Sequence, residues 1–235
     1  MALPKLQDTT LRYEMTIPST GKKVRYRPFL VKEEKSLMIA MESKDTKTII
    51  NTLLGTLKTC IDGEIIVEQL PTFDVEHMFL NIRSKSVGET TKIGMKCSEC
   101  NQTTEIVVPI DQIQINVPKL EKTIRLTDDI SVDIDWPTYA SLADIDVDNQ
   151  DTESLFQVMA KCFKSINTAE ERINASEVPL SEIEEFIESM TQAQFNKIKE
   201  FMDAMPRLKH DIEFKCSHCN HDNKITVEGL ESFLS

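Results

Sequence analysis

The hydrophobic and polar positions near the amino terminus follow first a strand pattern and then a helical one. Two β-prone runs, residues 11–17 and 24–29, flank the turn sequence PSTGKK and predict a β-hairpin. Apolar residues then recur at helical spacing. They predict a helix over residues 31–43, a second helix capped by Asp45 and a third capped by Thr72.

The rest of the chain outside two cysteine-containing segments also switches between the two periods. Residues 111–117 and 124–136 alternate with period two, and we expect the latter to form a half-exposed antiparallel hairpin. Helical spacing returns over residues 155–163. Two further helices are predicted to begin after Ser181 and Thr191 as N-caps.

The strongest local signal is a repeated Cys-x-x-Cys hairpin. Residues 93–110 and 212–230 each contain a strand, the sequence Lys-Cys-Ser-x-Cys-Asn, a polar turn and a β-branched strand. Two residues between cysteines let both thiolates reach one tetrahedral ion, and a structural zinc site is normally closed by four ligands. The simplest interpretation is one structural Zn²⁺ per chain in a shared site. Its predicted ligands are Cys97, Cys100, Cys216 and Cys219.

Other interpretations of these cysteines stay open. A thiol oxidoreductase needs a Cys-x-x-Cys with a depressed thiol pKa at a strand–helix junction, whereas both motifs here lie in hairpins. Two separate metal sites would leave the first hairpin without a nearby histidine, since His218 and His221 both belong to the second. The remaining cysteines, Cys60 and Cys162, lie on apolar helix faces and are expected to be small buried hydrophobic residues.

The motifs of common enzyme classes are absent from the sequence. It contains no P-loop, no GxGxxG, no GxSxG, no kinase signature and no HExxH or zinc-deaminase pattern. We therefore expect a protein that is not an enzyme. Its runs of apolar residues are too short to span a bilayer, and its start lacks the features of a signal peptide. These features favour a reducing compartment, in which cysteines bind metal more often than they form disulfides.

Charge separates the two halves of the chain. The 235 residues include 39 Asp+Glu and 27 Lys+Arg, which gives a net charge of −12. Residues 1–110 hold 15 basic and 14 acidic side chains, a net of +1, and residues 111–235 hold 12 and 25, a net of −13. Such an acidic chain is poorly suited to neutralising phosphates, so no direct nucleic-acid contact is expected. A zinc-ribbon regulator of nucleic-acid machinery is nevertheless an alternative function.

These patterns together predict an α+β fold with a discontinuous organisation. Residues 1–89 are expected to form an N-terminal hairpin plus helical unit. Residues 90–110 with 208–235 would form a zinc-ribbon-like unit from the pair of hairpins. Residues 111–207 would form an acidic insertion of strands and helices.

Two long motifs carry a family resemblance. Residues 18–42, PSTGKKVRYRPFLVKEEKSLMIAME, and residues 70–89, LPTFDVEHMFLNIRSKSVGE, resemble the baseplate hub proteins of T-even-type contractile-tailed bacteriophages. That family includes a hub subunit and a hub assembly catalyst, or chaperone. The resemblance implies a late, non-enzymatic structural or assembly protein whose partners are other hub proteins. It also implies assembly in the host cytoplasm, a place in the virion tail baseplate and compatibility with a symmetric homo-oligomer.

The same two segments supply the predicted core and partner contacts. Residues expected in the core are Phe29, Leu37, Met38, Phe73 and Phe79. Charged residues are predicted to contact partners. They are Arg25, Arg27, Lys32, Glu33, Glu34, Lys35, Arg83 and Lys85.

Overall fold

The fold is that of a computed structural model, in which residues 11–113, 115–143, 145 and 151–229 are described. Over this part of the chain the helices are α1 (Val31–Ser43), α2 (Thr46–Cys60), α3 (Thr72–Ser86), α4 (Tyr139–Leu142), α5 (Thr152–Cys162), α6 (Leu180–Glu188) and α7 (Gln192–Asp203). The strands are β1 (Tyr13–Thr16), β2 (Lys23–Tyr26), β3 (Thr90–Lys96), β4 (Thr103–Pro109), β5 (Thr123–Arg125), β6 (Ser131–Ile134), β7 (Phe163–Asn167), β8 (Arg172–Asn174), β9 (Lys209–Lys215) and β10 (Asp222–Glu228). This mixture confirms the α+β class.

The chain divides into two compact units, and each is discontinuous in sequence. Unit 1 comprises residues 1–67, 74–115 and 207–235, and unit 2 comprises residues 68–73 and 116–206. Both Cys-x-x-Cys hairpins belong to unit 1. The finer three-part division into residues 1–89, a ribbon-like unit and an insertion stays a prediction. No helix within the described ranges has the length and apolar character of a bilayer span.

In unit 1 the N-terminal hairpin packs with the first three helices. β1 and β2 pair antiparallel, which confirms the predicted hairpin. α2 begins after Asp45, whose carboxylate accepts the Thr48 N–H at 2.9 Å, as the N-cap prediction required. The apolar face of α2 is buried, with Leu57 fully inaccessible to solvent. The hairpin turn is held by Asp74 of α3, whose buried carboxylate accepts the Ser19 N–H at 2.9 Å.

Unit 2 contains one antiparallel sheet in the order β5-β6-β7-β8 and the helices α4 to α7. The pairing of β5 with β6 confirms the hairpin predicted over residues 124–136. Trp136, just after β6, is 4% exposed and stacks on Phe201 of α7 with ring centroids 4.3 Å apart. Thr191 caps α7 in a capping box with Gln194, as its position before the apolar run predicted.

Four local predictions were wrong. Thr72 does not cap α3, because it is the first residue of the helix. Residues 111–117 do not form a strand in the described positions, because the Ile113 N–H turns back to the Ile110 carbonyl and no neighbouring strand pairs with the alternating residues. α6 begins at Leu180, before the predicted cap Ser181, because the Glu182 N–H donates to the Pro179 carbonyl at 3.1 Å and Pro179 takes the N-cap position. Phe163 does not extend α5, because it begins strand β7 instead.

Candidate metal centre

Four cysteine sulfurs meet where the two hairpins of unit 1 come together. The Sγ atoms of Cys97, Cys100, Cys216 and Cys219 all lie within 4.8 Å of one another. The Cys97–Cys219 and Cys100–Cys216 sulfur pairs are each separated by 3.6 Å. Four thiolates bound tetrahedrally to Zn²⁺ at about 2.3 Å are about 3.8 Å apart, whereas a disulfide brings two sulfurs to about 2.05 Å. The spacing therefore fits one shared tetrahedral ion.

The two hairpins position their cysteines by the same backbone turn. In the first, the Cys97 N–H donates to the Gln102 carbonyl at 2.9 Å, and the Asn101 N–H donates to the Cys97 carbonyl at 3.0 Å. In the second, Cys216 and Asn220 repeat these roles at 2.9 and 3.0 Å. Each asparagine has a left-handed backbone, with φ of 56° and 60°, which asparagine adopts more readily than most residues. The repeated sequence thus encodes one repeated turn.

Hydrogen bonding makes the two cysteines of each hairpin unequal. Backbone N–H donors, those of Cys219 and His218 above all, lower the pKa of Cys216 to about 6. The Cys100 N–H is the largest of several donors that lower the pKa of Cys97. For Cys219 a backbone N–H again lowers the pKa, but desolvation and the three neighbouring sulfurs outweigh it and raise the pKa to about 12. The first cysteine of each hairpin therefore ionises more readily than an ordinary thiol, and a bound ion must displace the protons that remain.

Two buried residues that the sequence analysis missed complete the surroundings of the sulfurs. Asn223 accepts the Ser98 N–H through Oδ1 at 2.9 Å, and its Nδ2 lies 3.5 Å from the Cys97 sulfur. Thr104 accepts the Ser217 N–H at 3.2 Å, and its hydroxyl donates to the Cys216 sulfur at 3.7 Å. The repeat in the sequence could have identified them, because Thr104 and Asn223 occupy equivalent positions when the two Lys-Cys-Ser motifs are aligned.

The donor set restricts what the centre can do. A catalytic zinc site keeps an open position and usually includes histidine or carboxylate ligands, whereas four thiolates fill a tetrahedral ion completely. The other two cysteines take no part. Cys60 and Cys162 are each 1% exposed, which confirms them as buried hydrophobic residues. Burial raises the pKa of Cys162 to about 12, so its thiol stays protonated.

Two of the predicted partner residues form an internal ion pair. Arg27 and Glu33 are both buried, and the Arg27 Nη2 lies 3.0 Å from the Glu33 Oε1. Glu33 also accepts the Leu30 N–H at 2.6 Å at the start of α1. Desolvation alone would raise the pKa of Glu33, but these hydrogen bonds and the charge of Arg27 outweigh it and lower the pKa. This pair holds the first turn of α1 onto the end of β2, and we leave both residues out of the proposed partner surface.

The other predicted partner residues lie at or near the surface of unit 1. The three exposed ones are Arg25, Lys32 and Lys35. Lys85 of α3 pairs with Glu89 four residues later. Glu34 and Arg83 are half-buried, and desolvation lowers the pKa of Arg83 while the charge of Glu34 opposes the shift. A role for any of them in partner contact stays a prediction.

The predicted core is only partly correct. Phe73 and Phe79 are 1% and 2% exposed, and Phe29 and Leu37 are half-buried. Met38 was wrongly placed, since 58% of its surface is exposed.

The exposure of Met38 follows from the way α1 packs. The residues that α1 buries are Glu33 and Ala40, so its inward face is small and ion-paired. Its outward side consequently presents Val31, Met38 and Ile39, which are 79%, 58% and 56% exposed. We call these three residues the α1 apolar face. A surface helix of a folded monomer usually turns its large apolar side chains toward the core, so these three exposed residues are unusual.

Comparison with known protein families finds a match. A family model described as T4 bacteriophage base plate protein matches residues 10–235. No curated protein and no solved structure matches the chain significantly. The family match extends over nearly the whole chain and includes both cysteine hairpins together with the motifs at residues 18–42 and 70–89. The chain therefore belongs to the family of T4 bacteriophage base plate proteins.

Proposed function

We propose that the chain is a non-enzymatic structural or assembly protein of the baseplate hub, and that it acts by contacts with other hub proteins. The observation that carries this proposal is the family match over residues 10–235, since family membership implies contacts with other baseplate proteins. The hub is inferred from the motifs at residues 18–42 and 70–89. Assembly then takes place in the host cytoplasm, before the tail is complete.

The α1 apolar face is the surface that we assign to this contact. Its three apolar residues are flanked by the exposed cations Lys32 and Lys35. An apolar centre with a charged rim is the usual anatomy of a protein–protein interface. Exposed Glu42, one turn after Met38, adds a negative charge beside these lysines, so the occupant is a hub protein with an apolar patch bordered by charges of both signs.

A phage assembly experiment tests this function. Phage carrying Met38→Glu should assemble markedly fewer complete baseplates, counted by electron microscopy of infected-cell lysates, because a charge in the apolar face opposes docking. Leu155→Glu is the matched control, since Leu155 of α5 is a helical residue with a similar exposure of 60%. Circular dichroism of the purified variants checks that both are folded. Normal baseplate numbers with folded Met38→Glu would contradict the proposed surface, and normal numbers without the chain would contradict the hub function.

We also propose that one structural Zn²⁺ is held by the four cysteines and joins the two hairpins. The sulfur spacing and the closed all-thiolate donor set support this ion, although such a set also suits iron. Bound metal on the purified chain is measured by elemental mass spectrometry, with Cys97→Ser and Cys216→Ser as variants. The expected result is one zinc per chain that is lost in either variant. Two zinc ions, each lost with one hairpin, would contradict the shared site.

A further inference from the structure

In unit 1, each of the two cysteine hairpins places one polar side chain against the cysteines of the other hairpin. Thr104 belongs to β4 in the first hairpin, but its polar contacts are to Ser217 and Cys216 of the second. Asn223 belongs to β10 in the second hairpin, and it contacts Ser98 and Cys97 of the first. The exchange is reciprocal, because these two residues occupy equivalent positions in the repeat.

Asn223 uses both ends of its amide in this exchange. Its Oδ1 accepts the backbone N–H of Ser98 at 2.9 Å and the Ser98 hydroxyl at 3.0 Å. Its Nδ2 donates to the His221 carbonyl at 3.1 Å and faces the Cys97 sulfur at 3.5 Å. Asn223 is 5% exposed, so water does not replace these bonds easily. The amide is fixed in one orientation with one N–H directed at the sulfur.

Thr104 makes the equivalent contact with fewer groups. Its single hydroxyl accepts the Ser217 N–H at 3.2 Å and has one proton for two neighbours, the Cys216 sulfur at 3.7 Å and the Ser217 hydroxyl at 3.2 Å. A hydroxyl carries one donor, whereas a carboxamide carries two. Asn223 therefore holds the first hairpin more firmly than Thr104 holds the second.

We propose that Asn223 and Thr104 are positioning residues that each hold the first cysteine of the opposite hairpin and so preform the site for a tetrahedral, thiolate-preferring divalent ion. This inference rests on the proposed metal site, and it identifies the side-chain contacts that bring the two halves of that site together. Hydrogen bonds to ligands orient them, and their loss typically costs 10–100-fold in metal affinity. The affinity for Zn²⁺ thus depends on contacts between hairpins as well as on the four sulfurs.

Zinc affinity of the full chain gives the first test, measured by competition with a chromophoric chelator. Asn223→Ala should weaken Zn²⁺ binding about 10–100-fold, and Thr104→Val should weaken it by a smaller factor. Thr103→Val is the matched control, because Thr103 is exposed and precedes Thr104 in the same strand. Asn223→Thr restores a hydroxyl donor and should recover part of the lost affinity. Affinities of Asn223→Ala and Thr104→Val equal to that of the wild type would overturn the proposal.

A second test measures how fast N-ethylmaleimide alkylates each cysteine of the metal-free chain, with peptide mass spectrometry to identify the modified residues. A general loosening of the fold would not give a pattern that differs between the two hairpins. Asn223→Ala should change the rate of modification of Cys97 more than that of Cys216, and Thr104→Val should do the reverse. Equal changes at both cysteines in both variants, or no change at either, would overturn the crossed arrangement. A wild-type chain that binds no Zn²⁺ would contradict the proposed metal site, while the crossed alkylation pattern would still test the positioning residues.

Discussion

A half-buried carboxyl group in α3, that of Glu76, makes the stability of unit 1 depend on pH. Glu76 has no ion-pair or hydrogen-bond partner among the described residues, and desolvation raises its pKa from 4.5 to about 7. The unfolded chain releases this proton near pH 4.5, whereas the folded chain retains it up to about pH 7. Between these values the folded state binds more protons than the unfolded state, so the free energy of unfolding falls as pH rises.

The size of the effect follows from the shift. One pKa unit is worth about 1.4 kcal/mol, so the burial of ionised Glu76 costs about 3 kcal/mol above pH 7 and nothing below about pH 4. Glu76→Gln removes the charge and keeps the shape of the side chain. We expect the variant to be more stable than the wild type by about 3 kcal/mol at pH 8 and equally stable at pH 4.

Urea unfolding followed by circular dichroism at pH 4, 6 and 8 measures this difference. Subtracting wild type from variant at each pH removes the pH dependence of the cysteine cluster, which both proteins share. Glu64→Gln is the control, because Glu64 is exposed and its replacement should leave the free energy of unfolding nearly unchanged at every pH. A Glu76→Gln difference that does not change between pH 4 and pH 8, or a variant less stable at pH 8, would refute the reasoning.

Three further outcomes are expected. Glu33→Gln leaves the buried Arg27 without a carboxylate partner and should lower the free energy of unfolding by about 3 kcal/mol in urea at pH 7. Since folding lowers the pKa of Glu33, this loss of stability should become smaller as the pH falls below 4.5. A loss that stays constant with pH would contradict the prediction. Asp45→Ala removes the cap on Thr48 and should cost about 1 kcal/mol in the same assay, whereas no loss would show that the cap is unimportant. Zinc binding at pH 7.5 should release fewer than four protons in calorimetry with buffers of different ionisation enthalpy, because the pKa of Cys216, lowered to about 6, leaves its thiol already ionised, and a release of four would contradict the unequal cysteines.

The sequence predicted the cysteine cluster because a Cys-x-x-Cys turn is a local pattern, and its repetition supplied the missing half of the site. It did not predict Asn223, since asparagine within a strand has no metal-site signature and its role depends on which hairpin lies opposite. The error at Met38 has a similar origin. Helical spacing identifies an apolar stripe, but the packing of α1 decides which side is buried, and here the Arg27–Glu33 pair is inside.

The strands of unit 2 show the same limit. The hairpin of β5 and β6 was predictable because its alternating residues are contiguous. β7 and β8 were not, because their sequences, FKSIN and RIN, lack an alternation of apolar and polar residues, and the polar Ser165 occupies a buried position of β7. Local patterns therefore predicted the strands whose apolar residues alternate along the chain.

The distance along the chain between the two halves of the cysteine cluster has a consequence for biosynthesis. Cys100 and Cys216, whose sulfurs are neighbours in the fold, are 116 residues apart. At about 5–20 residues per second, a ribosome needs about 6–23 s to make the intervening segment. During that interval the first hairpin has only two sulfurs to offer to a metal ion. The four-sulfur cluster can therefore close only after the strands and helices of unit 2 have been synthesised, which makes it a late step in the maturation of each new chain.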